Sequence, residues 1–345
     1  MEVLKQVVGI DVAQKELVVS LGKMNSDFSI EIYAHKIFKN TENGMNELQK
    51  WIKKITIADK PLLFVMEATG VYHEKFAYFL DDNEYKLSIV PPNKISNYMR
   101  TLDIKTVTDK SCSEAITRFG LERKLTEWNR PNKIYKSLKQ LTRERDQIVE
   151  ARVVVKNQLH AENSEAFPVK STIKRCQEHI KFLNKQEAQI KKEIEETKDQ
   201  EIKDKIQKIT TIPGVGVLTA TVILAETNGF ELIKNKKQLT SYAGLDIKEK
   251  QSGTSVKGKP KISKKGNRSI RKAMHLPALT SIRHDENYKN IFVRIVSKSG
   301  IKMKGVVAVQ RKLLELVYVI YKNDTTYDKE YEKKKRKQQT MVTPS

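Results

Sequence analysis

The chain has 345 residues, enough for two domains with cores of their own at roughly 150 residues each, which excludes a peptide hormone or a disulfide mini-protein. Lys and Arg total 65 against 42 Asp and Glu, a net charge of +23, while 39% of residues are hydrophobic; the chain folds but carries a positive field that selects polyanions, nucleic acid first among them. No apolar run approaches the roughly 18 residues of a membrane-spanning helix.

Glu2, Lys5 and Asp11 surround a short apolar stretch with no small-residue cleavage site, so the N-terminus does not read as a secretory signal and a cytoplasmic protein is expected. Cys112 and Cys176 are too few and too far apart for a disulfide framework, and no CxxC or HxxxH spacing is present to hold zinc. The six histidines are scattered singly and none is assigned a catalytic role.

In chain order, residues 7–12 form a short apolar run interrupted by one acid, residues 16–21 a second strand, and residues 28–32 an alternating third. A polar helix over 44–55 follows, then a buried strand over 61–67 that ends on an acid, and a further strand over 86–90 between helices. Three antiparallel strands followed by alternating helices and parallel strands give the order of an RNase H-like sheet, expected to about residue 130.

From 131 to 208 the composition turns to Lys, Glu and Gln with long helical periodicity. Ile180, Leu183, Ile190, Ile194, Ile202, Ile206 and Ile209 recur at mostly helical steps, predicting two long helices broken near Pro168. This stretch reads either as a solvated spacer or as a coiled-coil arm for dimerisation or nucleic-acid binding. A mainly α C-terminal domain is expected over 209–325. It opens on a Gly-rich turn, Gly214 and Gly216, before an apolar helix over 218–226. Such a turn either offers backbone N–H groups to a phosphate or simply joins packed helices. Residues 248–272 are rich in Gly, Ser and Lys and predict a loop; Val306, Val309, Leu313, Leu316 and Ile320 make one apolar helix face. The end of the chain, 326–345, carries the basic run Lys333–Lys337 and reads as a disordered tail with non-specific phosphate affinity.

Asp11 stands in an apolar strand, where an unpaired charge is costly, and Glu67 ends the strand that an RNase H-like order places beside it. Converging carboxylates repel; a divalent cation relieves the repulsion and offers Lewis acidity toward a phosphodiester, so Mg²⁺, or Mn²⁺, is the economical explanation. Thr108 and Asp109 suit a helix start, and of the next acids and thiols only Cys112, three residues on, shares a face with Asp109. Ser252 sits in a Gly-flanked segment followed by Lys257, Lys259, Lys261, Lys264, Lys265, Arg268 and Arg271, cations suited to holding a phosphodiester while a serine attacks phosphorus. Composition alone does not prefer Ser252 to Ser255 or Ser263.

The motifs GIDVAQKELVVSL, FVMEATGVYHEKFAYFL, VPPNKISNYMR with KTVTDK, TIPGVGVLTATVILAE, and SYAGLDIKEKQSG with KISKKGNRSIRKAMHLPAL, in this order, resemble the DEDD transposases of the insertion-sequence 110 family over residues 7–321. The resemblance implies a RuvC-like N-terminal domain, a C-terminal serine transposase domain, and a composite site formed across subunits of a homo-oligomer, dimer or tetramer. It implies DNA as substrate, a guiding non-coding RNA from the element, and a nucleoid-associated location in a bacterial cytoplasm. By motif, Asp11, Glu67 and Asp109 are the family's first three acids and Ser252 its nucleophile; Cys112 stands where the pattern has a fourth acid, with Glu114 or Asp103 as possible substitutes. Two other classes compete: a structure-selective RuvC-like nuclease using the carboxylates alone, and a catalytically weakened nucleic-acid-binding relative.

Overall fold

Near-continuous apolar runs, buried on both faces, dictate the first strands of the N-terminal sheet. β1 (Val3–Val12) pairs antiparallel with β2 (Glu16–Asn25), which pairs antiparallel with β3 (Ile30–Lys39). After helix α1 (Glu42–Ile55), β4 (Leu62–Glu67) joins β1 in parallel, and after α2 (His73–Asp82), β5 (Leu87–Val90) joins β4 in parallel. The order β3-β2-β1-β4-β5 is that of an RNase H-like sheet. This computed structural model describes residues 2–68, 70–102, 104, 106–197, 199–231, 233–249, 251–252, 256–258 and 261–330, with only the backbone at 251–252 and 256–257.

Alternation sorts the faces of the sheet. Val8, Ile10 and Val12 of β1, with Phe64 and Met66 of β4, pack against Leu48 and Ile52 of α1 and Phe76 and Leu80 of α2. Val7 and Val65 point the other way, toward Ile95 of α3 (Pro92–Met99) and Ile116 and Leu121 of α4 (Asp109–Glu122). Asp11 and Glu67 fall on this second face by the same period.

Two glycines let α4 lie close on that face. A Cβ on Gly9 would sit 2.4 Å from the backbone N of Thr117, and one on Gly120 2.7 Å from Val7. Hydroxyls fasten the contact: Ser20 Oγ and Ser113 Oγ are 2.7 Å apart, Thr117 Oγ1 donates to Ser20 O at 3.0 Å, and Lys5 Nζ donates to Gly120 O at 3.0 Å. α4 starts on a capping box in which Thr108 Oγ1 accepts from Ser111 N while Ser111 Oγ accepts from Thr108 N.

β3 differs from its expected span. Phe28 is not in the strand but in the preceding turn, at φ 62°, where Ser29 N and Oγ both donate to Asp27 Oδ1; the strand continues to Lys39 because Glu16 to Met24 of β2 supply its partners. His35, Lys36 and Lys39 interrupt its apolar positions and disguise it in sequence, although Phe38 is buried against the sheet core.

From Pro131 onward the chain forms a second compact unit, mainly helical. Its helices are α5 (Lys133–Asn163), α6 (Lys170–Glu195), α7 (Gln200–Thr210), α8 (Val217–Thr227) and α9 (Lys236–Tyr242), then α10 (Arg268–Ala273), α11 (His275–His284), α12 (Glu286–Ser299) and α13 (Lys302–Asn323). α5 and α6 pack side by side, cross-linked by Glu187, which accepts from Arg145 at 2.8 Å and from Arg152. Leu183, Ile190, Ile194, Ile202, Ile206 and Ile209 are buried in one core with Ile223, Leu313 and Ile320.

Residues 248–272 are not the plain loop expected. Short strands β6 (Ile247–Lys248) and β9 (Lys261–Ile262) pair, as do β7 (Gln251–Ser252) and β8 (Val256–Lys257), one ribbon within the other, and Arg268 to Lys272 are helical in α10. Backbone hydrogen bonding, which apolar periodicity does not report, supplies this order. Among the described residues no helix is long and apolar enough to cross a membrane.

Candidate active site

Strand pairing brings the first two acids together: Ile10 is opposite Met66 in the parallel β1–β4 register, so Asp11 and Glu67 leave neighbouring strand ends on the α4 face. α4 begins at Asp109, and Cys112 follows one turn later on the same helical face. The electrostatics register the convergence. Burial, then the charges of Asp109 and Glu67, push the Asp11 carboxyl up to about 6, against an opposing hydrogen bond from the Val12 backbone. Burial, then Asp11, Asp109 and Glu67, also raise the Cys112 thiol, which therefore stays protonated at neutral pH.

Three acids and one thiol thus share a field. Glu114 pairs with Lys110 at 3.9 Å and is not among the charges that act on Asp11 or Cys112, and Asp103 lies outside the described residues. Three carboxylates offer the oxygen ligands a hard divalent cation takes, and the raised Asp11 carboxyl records the repulsion such a cation would relieve. Among the described residues no three His, Cys, Asp or Glu side chains already converge tightly enough to hold an ion. Donor chemistry decides the fit, because terminal carboxylate torsions are soft and Asp109 is exposed, free to turn inward.

The sign of the Asp11 shift gives a stability prediction. Its folded-state value lies above the ordinary 3.8, so the contribution is fully present below about pH 4 and is lost as pH rises to about 6. Asp11→Asn should therefore raise the melting temperature at pH 7.5 and leave it unchanged at pH 3.5. The full shift corresponds to about 3 kcal/mol; partial solvent access reduces it to about 1–2 kcal/mol, or a few °C. Thermal melts of both proteins at the two pH values check this, and equal melting at pH 7.5 would remove the repulsion argument.

The second unit holds the remaining candidates. Ser252 is opposite Val256 in the inner ribbon, and Lys257 is opposite Gln251. Lys259, Ser255 and the basic run Lys333–Lys337 lie outside the described residues. Lys261, Lys264, Lys265 and Arg268 are exposed, and Arg268 meets a carboxylate only at 3.9 Å, on Glu150. Arg271 is differently engaged: its Nη1 donates to Ala243 O at 2.7 Å and Gly266 O at 3.1 Å, holding backbone. Gly214, at φ 85°, sits where a Cβ would be 2.8 Å from Pro277 O, so packing against α11 accounts for it. Gly216 precedes the exposed start of α8, with nothing within 4 Å of a Cβ.

One cluster escaped sequence reasoning. Glu226, in the apolar helix α8, is buried and accepts from Arg143 and Asn267. An acid closing the run TATVILA carries the same signal that singles out Asp11.

Comparison with known proteins gives matches along most of the chain. A family model described as a transposase, of the DEDD type from IS110 elements, matches residues 8–168; a second, described as the transposase IS116/IS110/IS902 family, matches residues 206–292. A pilin gene-inverting protein of Moraxella bovis is 26% identical over 326 residues, 94% of this chain and 98% of that one. A transposase for insertion sequence element IS1111A of Coxiella burnetii is 26% identical over 155 residues, 43% of this chain and 42% of that one. A Thermus thermophilus RuvC structure aligns with 36% of this chain and 99% of its own, at 9% identity and a TM-score of 0.28.

Proposed function

Since this chain belongs to the IS110 family of DEDD transposases, we propose that it cuts DNA at a carboxylate site of Asp11, Glu67 and Asp109 and rejoins it through Ser252. The observation that carries the carboxylate half is the strand register that brings Asp11 and Glu67 to neighbouring strand ends on the α4 face, with Asp109 opening α4 and adding its charge to that of Glu67 on Asp11. DEDD transposases of this fold use a divalent metal, and here Mg²⁺ held by Asp11, Glu67 and Asp109 would supply Lewis acidity at the phosphodiester. Asp11 and Glu67 orient that pocket from two adjacent strand ends, and the start of α4 closes it with Asp109.

In the serine half, Ser252 Oγ bonds to phosphorus as the bond from phosphorus to the leaving sugar oxygen breaks. The hydroxyl proton passes to a base and the leaving oxygen takes one up, so the phosphoester energy is kept in a phosphoserine link for rejoining. Exposed Lys261, Lys264, Lys265 and Arg268 bear the charge of the reacting phosphate. The carboxylates and the serine lie in different units, which accords with a composite site assembled between copies. The charge of +23 suits a guide RNA besides the DNA.

Cys112 favours a second reading, a weakened catalyst that mainly binds, because a neutral thiol faces the three acids where a fourth would add ligand charge. Strand exchange on the element's DNA with its co-purified RNA separates the two. Activity that needs Mg²⁺ and stops in EDTA supports the proposal; activity persisting in EDTA overturns it. A gain of about tenfold or more in Cys112→Asp would favour the weakened catalyst.

A further inference from the structure

The ribbon segment that carries Ser252 hangs from a neck tied to one buried carboxylate. Glu226 of α8 has no exposed side-chain surface, and Arg143 of α5 donates to it twice, Nε to Oε1 at 2.7 Å and Nη2 to Oε2 at 3.0 Å. Asn267 Nδ2, on the C-terminal stem of the segment, donates to Oε2 at 2.8 Å, and Lys139 Nζ stands 3.7 Å away. On the N-terminal stem, Tyr242 Oη donates to the Glu226 backbone O at 2.8 Å. Asn267 N donates to Tyr242 O at 2.7 Å, closing the neck between the stems. Above it the β6–β9 pairing continues, with Ser263 N on Asp246 O at 2.8 Å and Ser263 Oγ on Asp246 Oδ1 at 2.6 Å.

Asn267 does two things at once. Its Oδ1 accepts from Ile270 N at 3.0 Å, capping α10, while its Nδ2 reaches Glu226, so the stem and the helix carrying Arg268 are set by one amide. Burial pushes the Glu226 carboxyl up, yet Arg143, Asn267 and Lys139 outweigh it and hold it below its ordinary range, so it stays ionised. Stability alone does not call for a buried ion pair, which a well-packed apolar residue often replaces without loss, and the residues just before Glu226 in α8 are apolar. What the carboxylate adds is direction, since each oxygen accepts from a defined donor.

We infer that Glu226, with Arg143 and Asn267, is a positioning residue that fixes the neck of segment 243–266 and so presents the serine ribbon to its phosphate in one orientation. The inference rests on the Ser252 reading. It places the effect of Glu226 on the rate of covalent attack rather than on DNA affinity, because the lysines of the segment stay charged and solvent-exposed whichever way the neck presents them.

The test uses the full chain and a DNA substrate, following SDS-stable adduct at saturating DNA beside DNA affinity and melting temperature. Glu226→Gln keeps the volume but turns a donor toward a donor; adduct formation should slow by about tenfold or more with affinity within about twofold of wild type. Adding Asn267→Asp to Glu226→Gln restores a donor–acceptor pair across the neck and keeps an N-cap, so the double variant should recover most of the rate. A folded Glu226→Gln that reacts at the wild-type rate overturns the inference. So does a loss that tracks melting temperature and is not recovered in the double variant, which would make the cluster a stability feature only. Ser252→Ala, run alongside, separates the readings: if it still forms adduct, the serine reading falls and the inference with it, whereas an inactive Ser252→Ala beside a fully active Glu226→Gln refutes the positioning role alone.

Discussion

Asp11→Asn should lower DNA cleavage by about a thousandfold or more, about 4 kcal/mol of barrier, while DNA affinity stays within about twofold. The substitution changes one oxygen to an amide group and leaves volume, strand pairing and the Ile10–Met66 register in place. What disappears is the carboxylate on which Asp109 and Glu67 act, and with it one proposed ligand for a divalent ion. Affinity comes from lysines and arginines in contact with phosphates, which the change does not touch. Because the same variant is expected to melt higher at neutral pH, lost cleavage cannot be attributed to unfolding, and the pair of measurements shows stability given up for function. Single-turnover cleavage in Mg²⁺, with filter binding in parallel, checks it; a variant that cleaves within about tenfold of wild type would falsify the metal reading.

Ser252→Ala should remove the SDS-stable protein–DNA adduct and the recombinant product together, while Ser255→Ala keeps both. The Ser252 backbone pairs with Val256 in the inner ribbon. Ser255 lies outside the described residues, and only the motif order singles out Ser252 over it. Removing a nucleophile leaves no alternative route to the covalent link, so the loss should be complete within detection rather than graded. Asp11→Asn should lose the adduct as well if the two halves act as one site. Gel mobility after SDS and proteinase treatment reads the adduct directly, and recombination at the wild-type rate in Ser252→Ala would return catalysis to the carboxylates alone.

The N-terminal sheet was legible in sequence because each of its features is local. An acid in an apolar strand, a second at the end of a later strand, and a cap before a helix are visible without neighbours. The facing of Cys112 toward the acids was legible from helical spacing. The extent of β3 was not, since His35, Lys36 and Lys39 break its apolar pattern and the ladder with β2 carries the strand through them. The nested ribbons around Ser252 were hidden for the same reason: hydrogen bonds between stems leave no mark in composition. Arg271 stood in a row of cations, and only the positions of Ala243 O and Gly266 O show that it braces backbone instead of facing solvent. Glu226 was legible in kind, as an acid in an apolar run, but its partners come from 83 residues before it and 41 after.

The close seating of α4 makes the helix a lever. Its fulcrum is the contact of Gly9 with Thr117, its short end is held down by Lys5 at Gly120, and its free end carries Asp109. A methyl group added at the fulcrum tilts the whole rod, and a small rise there becomes a larger excursion at the tip. Substitutions at this buried glycine would then masquerade as lesions of the proposed carboxylate site, including Asp109 a hundred residues away. A screen for inactive yet folded variants should recover them beside the acids themselves, and a map of such positions would trace the underside of the helix rather than the rim of the pocket.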